Sequence, residues 1–361
     1  MPSPIITGII GLLGTSRFPP LQVTEAGFII GARQACINRP RMLYNKHGFV
    51  CGSMGILNGI VVRTAPWMPK FIIGRIASVY VAGDKLEDGL NLAKLVNSRG
   101  FSATLDLLGE EVHNRTETNK VRDLYCELFE GIANFGIDCN VSLKLTALGL
   151  RINEELCWDN LSVVLDKARE YNNFVRLDME DSSVTQATIN MCMKAKDYYP
   201  KCGTVLQAYM RRTVNDVKTI VSVDRSHDTN LRICKGAYKE NSEIAYQGYQ
   251  EVRDNYLDAA RAMIENEVYT GFATHDEWLI NEIEALVEEL GYPKDKYEFQ
   301  ALSGVPIDKT LERLRDKGHK VRYYIPYGPE WYAYSLRRMK ENPDIWKYTL
   351  KAFLFRSKHR N

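Results

Sequence analysis

The chain has no apolar run near the ~18 residues that a membrane-spanning helix requires, so a transmembrane protein is not expected. It has no C-x-x-C pair and no metal-ligand spacing. Its eight cysteines are scattered, which suits reduced, intracellular thiols used as small apolar residues rather than a disulfide framework or a zinc site. Excess charge of one sign is also missing: the formal net charge is +2, without a long basic run, and nucleic acid is not expected as a partner. Neither a G-x-G-x-x-G turn nor a Walker lysine loop occurs, which removes the two standard phosphate-binding fingerprints. The apolar opening Ile5 to Leu13 lacks a preceding basic residue and a clear cleavage site, unlike a signal peptide.

What is present is enough apolar residue, 45% of 361, for one large domain or two ordinary ones. Residues 1–53 show little helical or strand periodicity. They are expected to be a poorly ordered extension, or one outside the translated protein, since Met54 opens a stretch that would make a natural amino terminus. An intact mass matching residues 1–361 would remove the second alternative. Residues 54–95 are expected to form a helical amino-terminal arm, and 346–361 a basic amphipathic tail.

From about residue 100 short strand-like runs recur: Ala103 to Leu107, Val141 to Leu145, Phe174 to Met179, Val205 to Tyr209, Leu231 to Cys234, Gly271 to Thr274, Tyr297 to Leu302 and Val321 to Ile325. Charged helical stretches such as Ile280 to Leu290 and Thr310 to Lys317 lie between them. Strands alternating with helices at the ~30-residue spacing of a βα unit predict an α/β fold, a (β/α)8 TIM-type barrel over residues 96–345.

The strands carry unusual passengers for a core. In Asn140 to Thr146, Val141, Leu143 and Leu145 share one face while Asn140, Ser142, Lys144 and Thr146 share the other. Arg176, Asp178 and Glu180 alternate in the same way with Val175, Leu177 and Met179. Helices cover the outside of a barrel, so these polar faces are expected to point into its lumen. Charges there are costly unless paired or presented to a ligand. For one strand alone, mutual pairing of Lys144 with Asp178 or Glu180 is the simpler reading. Gln207, Arg232, Lys235, His275 and Arg337-Arg338, near the carboxyl ends of successive strands, shift the balance to a ligand site, because active sites of such barrels lie at that end. Arg337 and Arg338, on a predicted helix beyond Tyr324-Ile325-Pro326-Tyr327-Gly328, could grip a small carboxylate in bidentate fashion.

Taken together, Asp106-Leu107-Leu108-Gly109-Glu110, Lys144-Leu145, Arg176 to Asp181, Gln207-Ala208-Tyr209, Arg232 to Tyr238, Ala273-Thr274-His275, Glu298-Phe299-Gln300 and the double-arginine region resemble proline dehydrogenase, in order, over roughly residues 80–345. The resemblance implies an FAD enzyme. It would oxidise L-proline to Δ1-pyrroline-5-carboxylate by hydride transfer to flavin N5 and pass the electrons to a quinone, the first step of proline catabolism. It implies that Lys144, Arg337 and Arg338 bind the carboxylate, with Asp178 beside them, and that Tyr238, Leu302, Tyr324 and Tyr334 wall the ring. On the flavin side it implies Gln207, Arg232, Lys235, Gly236, Ala237, Thr274, His275 and Glu341. No strong general base is required, because the flavin carries out the oxidation. Tyr324 favours proline over hydroxyproline, since the hydroxyproline branch tends to have a small residue there. The chain has no room for the aldehyde dehydrogenase module of bifunctional relatives, so another protein is expected to oxidise the product.

Plainer readings stand beside several of these. His275 alone suits an ordinary hydrogen-bonded histidine. Glu341, four residues after Arg337 and three after Arg338, suits an intrahelical ion pair. Trp331 and Tyr332 suit packing, and Arg211-Arg212 a solvated helix start rather than a second clamp. Residues 56–81 and 345–360 mix apolar and basic residues and could lie on a membrane surface, although packing on the barrel is preferred for both. The expected location is cytoplasmic, with peripheral contact at the inner face of the respiratory membrane as a further expectation. Two other function classes are alternatives: a folate-type flavin-dependent barrel reductase, against which the double arginine and tyrosine wall suit a small amino acid rather than a bulky pterin, and a non-catalytic barrel, which would lack at least one of Lys144, Arg232, Arg337 or Arg338.

Overall fold

The structure, a computed structural model, describes residues 73–341 except Arg75, Ile76, Glu110, Glu111 and His227; the side chains of residues 337–341 also lie outside the described residues. Expectations for residues 1–53, for most of 56–81 and for the 346–361 tail therefore fall outside it.

Eight strands close into a parallel barrel in chain order. They are β1 (Ser102–Leu107), β2 (Cys139–Leu143), β3 (Val175–Leu177), β4 (Cys202–Gln207), β5 (Asn230–Cys234), β6 (Tyr269–Ala273), β7 (Tyr297–Leu302) and β8 (Val321–Tyr327). Helix α1 (Leu86–Ser98) precedes β1. The crossovers carry α2 (Arg115–Phe135), α3 (Glu154–Glu170), α4 (Thr185–Tyr198), α5 (Thr213–Val223), α6 (Tyr249–Glu265), α7 (Glu277–Glu289) and α8 (Asp308–Asp316), and α9 (Trp331–Glu341) follows β8. Local chemistry sets several boundaries. Asn114 accepts from the Glu117 N–H to open α2, and Gly136, at φ +60°, closes it in a conformation that costs glycine little.

Four strands end earlier than the sequence predicts, β4 at Gln207 and β6 at Ala273 among them. β3 stops at Leu177 and β2 at Leu143, so Asp178, Glu180 and Lys144 sit in the loops that leave the barrel. Side-chain hydrogen bonds take over from the ladder there: Glu180 accepts from the Thr146 N–H at 3.2 Å and from its hydroxyl at 2.5 Å. Within the described part of the expected helical arm, residues 73, 74 and 77 are helical and α1 opens at Leu86, where the Asp88 carboxylate accepts from the Lys85 N–H at 3.1 Å.

The alternation within strands divides two environments. Leu105, Val141, Leu177, Ile233, Phe272, Phe299 and Ile325 face the helices and join one continuous buried core. The lumen is polar. Register pairs Asp106 with Ser142, Ser142 with Arg176, and Arg176 with Gly203, so these neighbours share the inner face. Glycines open room for the larger lumen side chains: a Cβ at Gly203 would lie 2.9 Å from Arg176 Nη1, and one at Gly271 would lie 2.5 Å from Gln300 Nε2. Cys139 and Cys157 are buried, and burial pushes both thiols up to about 12, so they act as packing groups.

A smaller cluster joins Ala77, Tyr80, Val81, Leu108 and Tyr334. The described end of the 56–81 segment thus packs on the protein, with Ile73, Ala77, Tyr80 and Val81 all buried. Arg212 pairs with Asp216 at 2.7 Å across the start of α5, and Arg211 stacks over Tyr246, which fits the solvated helix start. Trp331 packs against this cluster, as expected of a packing residue.

Candidate active site

A cavity of about 680 Å³ opens at the carboxyl ends of the strands, within the size range of small-molecule and cofactor sites. Lys144, Asp178, Tyr238, Leu302, Tyr324 and Tyr334 line it, and so do Gln207, Arg232, Lys235, Gly236, Ala237, Thr274 and His275. These residues come from separate loops and strand ends, and barrel closure brings them together. Arg337, Arg338 and Glu341 lie on α9, the helix that also carries Tyr334, but their side chains are outside the described residues.

The electrostatics of the wall rest on two buried ion pairs. Lys144 Nζ lies 2.7 Å from Asp106 Oδ1, and Arg232 Nη1 lies 2.9 Å from Asp178 Oδ1. The sequence offers Asp178 or Glu180 as partner for Lys144; the structure gives it Asp106, from β1, while Asp178 serves Arg232. Register explains the exchange, since β1 lies beside β2 and places Asp106 against the Lys144 loop. Burial pushes the Asp106 carboxyl up, against the pull of Lys144. Asp178 also accepts from the Ser142 hydroxyl at 2.6 Å and the Tyr324 hydroxyl at 2.7 Å. The Arg232 guanidinium lies 5.1 Å from the Tyr324 ring centroid. Its Nε donates to Gln300 Oε1 at 2.5 Å, and Nη2 has no hydrogen-bond partner among the described residues, so a donor remains for a ligand.

Toward the mouth, Asp276 gathers Lys235 Nζ at 2.6 Å, Arg253 Nη2 at 2.7 Å and the Tyr249 hydroxyl at 2.8 Å. Burial alone would raise its carboxyl, but the hydrogen bonds from Arg253, Lys235 and Tyr249 hold it well below the usual carboxylate range. Asp276 also opens α7 by accepting from the Trp278 N–H. The Leu302 N–H donates to His275 Nε2 at 2.8 Å, so that nitrogen carries the lone pair and Nδ1 the proton in the neutral ring. Gly236 has φ +111°, and a Cβ there would meet the Tyr209 ring at 2.2 Å. Only glycine lets the backbone from Lys235 to Ala237 run along the wall at this point.

Sequence reasoning assigns no site role to Ser142, Gln300, Asp276, Tyr249 or Arg253. Period-two alternation on β2 and β7 marks Ser142 and Gln300 as lumen-facing. Tyr249 and Arg253 lie on a crossover helix whose pattern carries no sign of the site.

Comparison with known proteins gives one consistent result. The family model described as proline dehydrogenase matches residues 90–348. Proline dehydrogenase 1 of Bacillus subtilis subsp. natto is 35% identical over 275 residues, 76% of this chain and 89% of that protein. Proline dehydrogenase of Deinococcus radiodurans is 33% identical over 284 residues, 77% of this chain and 90% of that protein. Among solved structures, proline utilization A from Bdellovibrio bacteriovorus, inactivated by N-propargylglycine, is similar with a TM-score of 0.70 and 26% identity over 80% of this chain. The match spans 34% of that longer protein.

Proposed function

The chain belongs to the proline dehydrogenase family and oxidises proline, the first step of proline catabolism, and from that premise we propose that it works with FAD, forms Δ1-pyrroline-5-carboxylate and delivers electrons to a quinone. The observation that carries this reading is one cavity holding both buried ion pairs beside Tyr238, Tyr324 and Tyr334. An imino acid needs fixed cations for its carboxylate and an apolar wall for its methylenes.

The residues present suit FAD. Arg232 offers an uncommitted donor, Lys235 a second cation, and the Gly236 backbone a wall without side-chain bulk. Gln207 donates to Glu180 O at 2.9 Å, which leaves its amide oxygen as an acceptor. In this assignment Gln207, Arg232, Lys235, Gly236, Ala237, Thr274, His275 and Glu341 hold the cofactor. Bound FAD supplies the hydride acceptor at N5. Lys144, Arg337 and Arg338 take the proline carboxylate. Asp178 keeps Arg232 and Tyr324 in place, and Tyr238, Leu302, Tyr324 and Tyr334 exclude water from the ring.

An anaerobic absorbance spectrum before and after L-proline tests the proposal. Oxidised-flavin bands that bleach with proline, and not with hydroxyproline, are the expected result. A flavin that proline cannot bleach overturns the substrate assignment; absence of flavin after reconstitution with FAD overturns the cofactor. No helix among the described residues is long and apolar enough to cross a membrane. The cytoplasmic location with peripheral membrane contact is tested by liposome co-sedimentation, and quantitative recovery without liposome binding removes the contact.

A further inference from the structure

We infer that Gln300 is a positioning residue that fixes the Arg232 guanidinium at the cavity, acting through a hydrogen-bond line that starts at Arg322 and Glu298 lower in the lumen. The inference rests on the assignment of Arg232 to the flavin side. Glu298 is 2% exposed, and its carboxylate accepts from Arg322 Nε at 2.8 Å, Arg322 Nη2 at 3.1 Å and the Tyr269 hydroxyl at 3.0 Å. It also accepts from Gln300 Nε2 at 2.6 Å. A carboxylate offers only acceptors, so the amide must turn its NH2 toward Glu298. Its oxygen then faces Arg232 Nε at 2.5 Å, and a guanidinium offers only donors. Both neighbours therefore demand the same orientation of Gln300.

The consequence lies at Arg232. Held by Gln300 at Nε and by Asp178 at Nη1, its guanidinium is fixed at two points, which sets its plane. Without Gln300 only its Nη1 end would be held, by Asp178 at 2.9 Å and Ser142 Oγ at 3.4 Å, and the guanidinium could swing about that end. Gly271 completes the device, because a Cβ there would press on the Gln300 amide at 2.5 Å. Gln300 also lines the cavity, but its amide is engaged on both sides, by Glu298 and by Arg232, so its effect on the reaction runs through Arg232.

The test compares Gln300→Met, which removes donor and acceptor, with Gln300→Glu, which keeps an acceptor toward Arg232 and can share a proton with Glu298. Full-length holoenzyme supplies kcat and KM for proline. Fluorescence titration of the apoprotein with FAD supplies a dissociation constant independent of turnover. Gln300→Met is expected to lower kcat about 10-fold and weaken FAD by a similar factor, with KM for proline changed by less than about 3-fold. Gln300→Glu is expected to keep kcat within about 3-fold of the parent. A folded Gln300→Met protein with unchanged kcat and FAD affinity overturns the proposal. So does a Gln300→Glu protein impaired as deeply as Gln300→Met, since the acceptor kept toward Arg232 would then count for nothing. Arg232→Met separates the two levels: if it is harmful and Gln300→Met is silent, only the positioning role fails, and if it is silent, the flavin assignment of Arg232 fails and the proposal with it. Should Gln300→Met not fold, Gly271→Ala displaces the same amide and is expected to lower kcat several-fold; unchanged kcat overturns the proposal there too.

Discussion

Arg176 on β3 and Arg232 on β5 both point into the lumen, both are buried and both are hydrogen-bonded, yet their partners differ in kind. Arg176, lower in the barrel, donates to the carbonyl oxygens of Thr204 and Asn230 and stacks on Phe174. Its acceptors are neutral, and burial pushes its guanidinium down to about 9. Arg232, which lines the cavity, has a carboxylate, an amide and a tyrosine ring, and its Nη2 has no partner among the described residues; Arg176 also keeps one unpartnered nitrogen there, its Nε, but that atom is buried. The same contrast separates the layers. Below, Arg322 and Glu298 satisfy each other with support from Tyr269 and Gln300, a closed arrangement that holds the barrel together. Above, Lys144–Asp106 and Arg232–Asp178 form a balanced set along a cavity wall. Identical residue types thus serve as a plug buried within the protein in one layer and as a cavity wall in the other, according to whether protein or open space lies beside them.

The comparison breaks or sharpens under substitution. Glu298→Ala leaves Arg322 buried without its carboxylate and should cost about 3–5 kcal/mol in urea denaturation; a loss under about 1 kcal/mol would end the claim that the lower layer is structural. Acid acts on the same group. Burial pushes the Glu298 carboxyl up, but the charge and hydrogen bonds of Arg322 hold it at about 2 against an ordinary 4.5. Its folded value lies below its unfolded one, so its contribution is present above about pH 4.5 and is lost as pH falls toward 2. Stability should drop by about 3 kcal/mol across that window, and Glu298→Gln should flatten that part of the curve.

At the cavity the expected losses are of activity. Arg232→Met should lower kcat/KM for proline about 100-fold while shifting the urea midpoint less than Glu298→Ala does. The reverse ranking would mean that the upper layer is also a plug. Arg337→Lys should raise KM for proline about 10-fold with FAD affinity nearly unchanged, because a point charge loses the bidentate geometry; an unchanged KM would move the carboxylate elsewhere. Smallest is Tyr324→Phe, which removes the 2.7 Å bond to Asp178 and should cost about 1 kcal/mol of stability.

Much of this molecule is legible in its residues. All eight predicted runs overlap the eight strands, because barrel strands alternate apolar and polar side chains with a period the sequence displays directly. Cavity-lining residues such as Lys144, Gln207, Arg232 and Thr274 are legible as polar intrusions at strand ends. Less legible are the points where strands give way to loops. Asp178 and Lys144 continue an alternating pattern past the end of their ladders, and side-chain hydrogen bonds, which local pattern does not encode, decide the break. Asp276 carries no sign of the site in the sequence, and its role as the partner of Lys235 and Arg253 emerges only where β6, α6 and the β5 loop meet.

The sequence by itself therefore determined the number and order of the strands, which face of each is polar, and the family. Tertiary structure alone decided who pairs with whom: Asp106 rather than Asp178 for Lys144, Asp178 for Arg232, and a Gln300 amide turned one way by Glu298 and Arg232. The physical reason is that alternation fixes the side of the sheet on which a side chain lies. A partner across the lumen is fixed by barrel closure and register, which bring together residues 38 to 68 positions apart for Lys144–Asp106, Arg232–Asp178 and Arg232–Gln300.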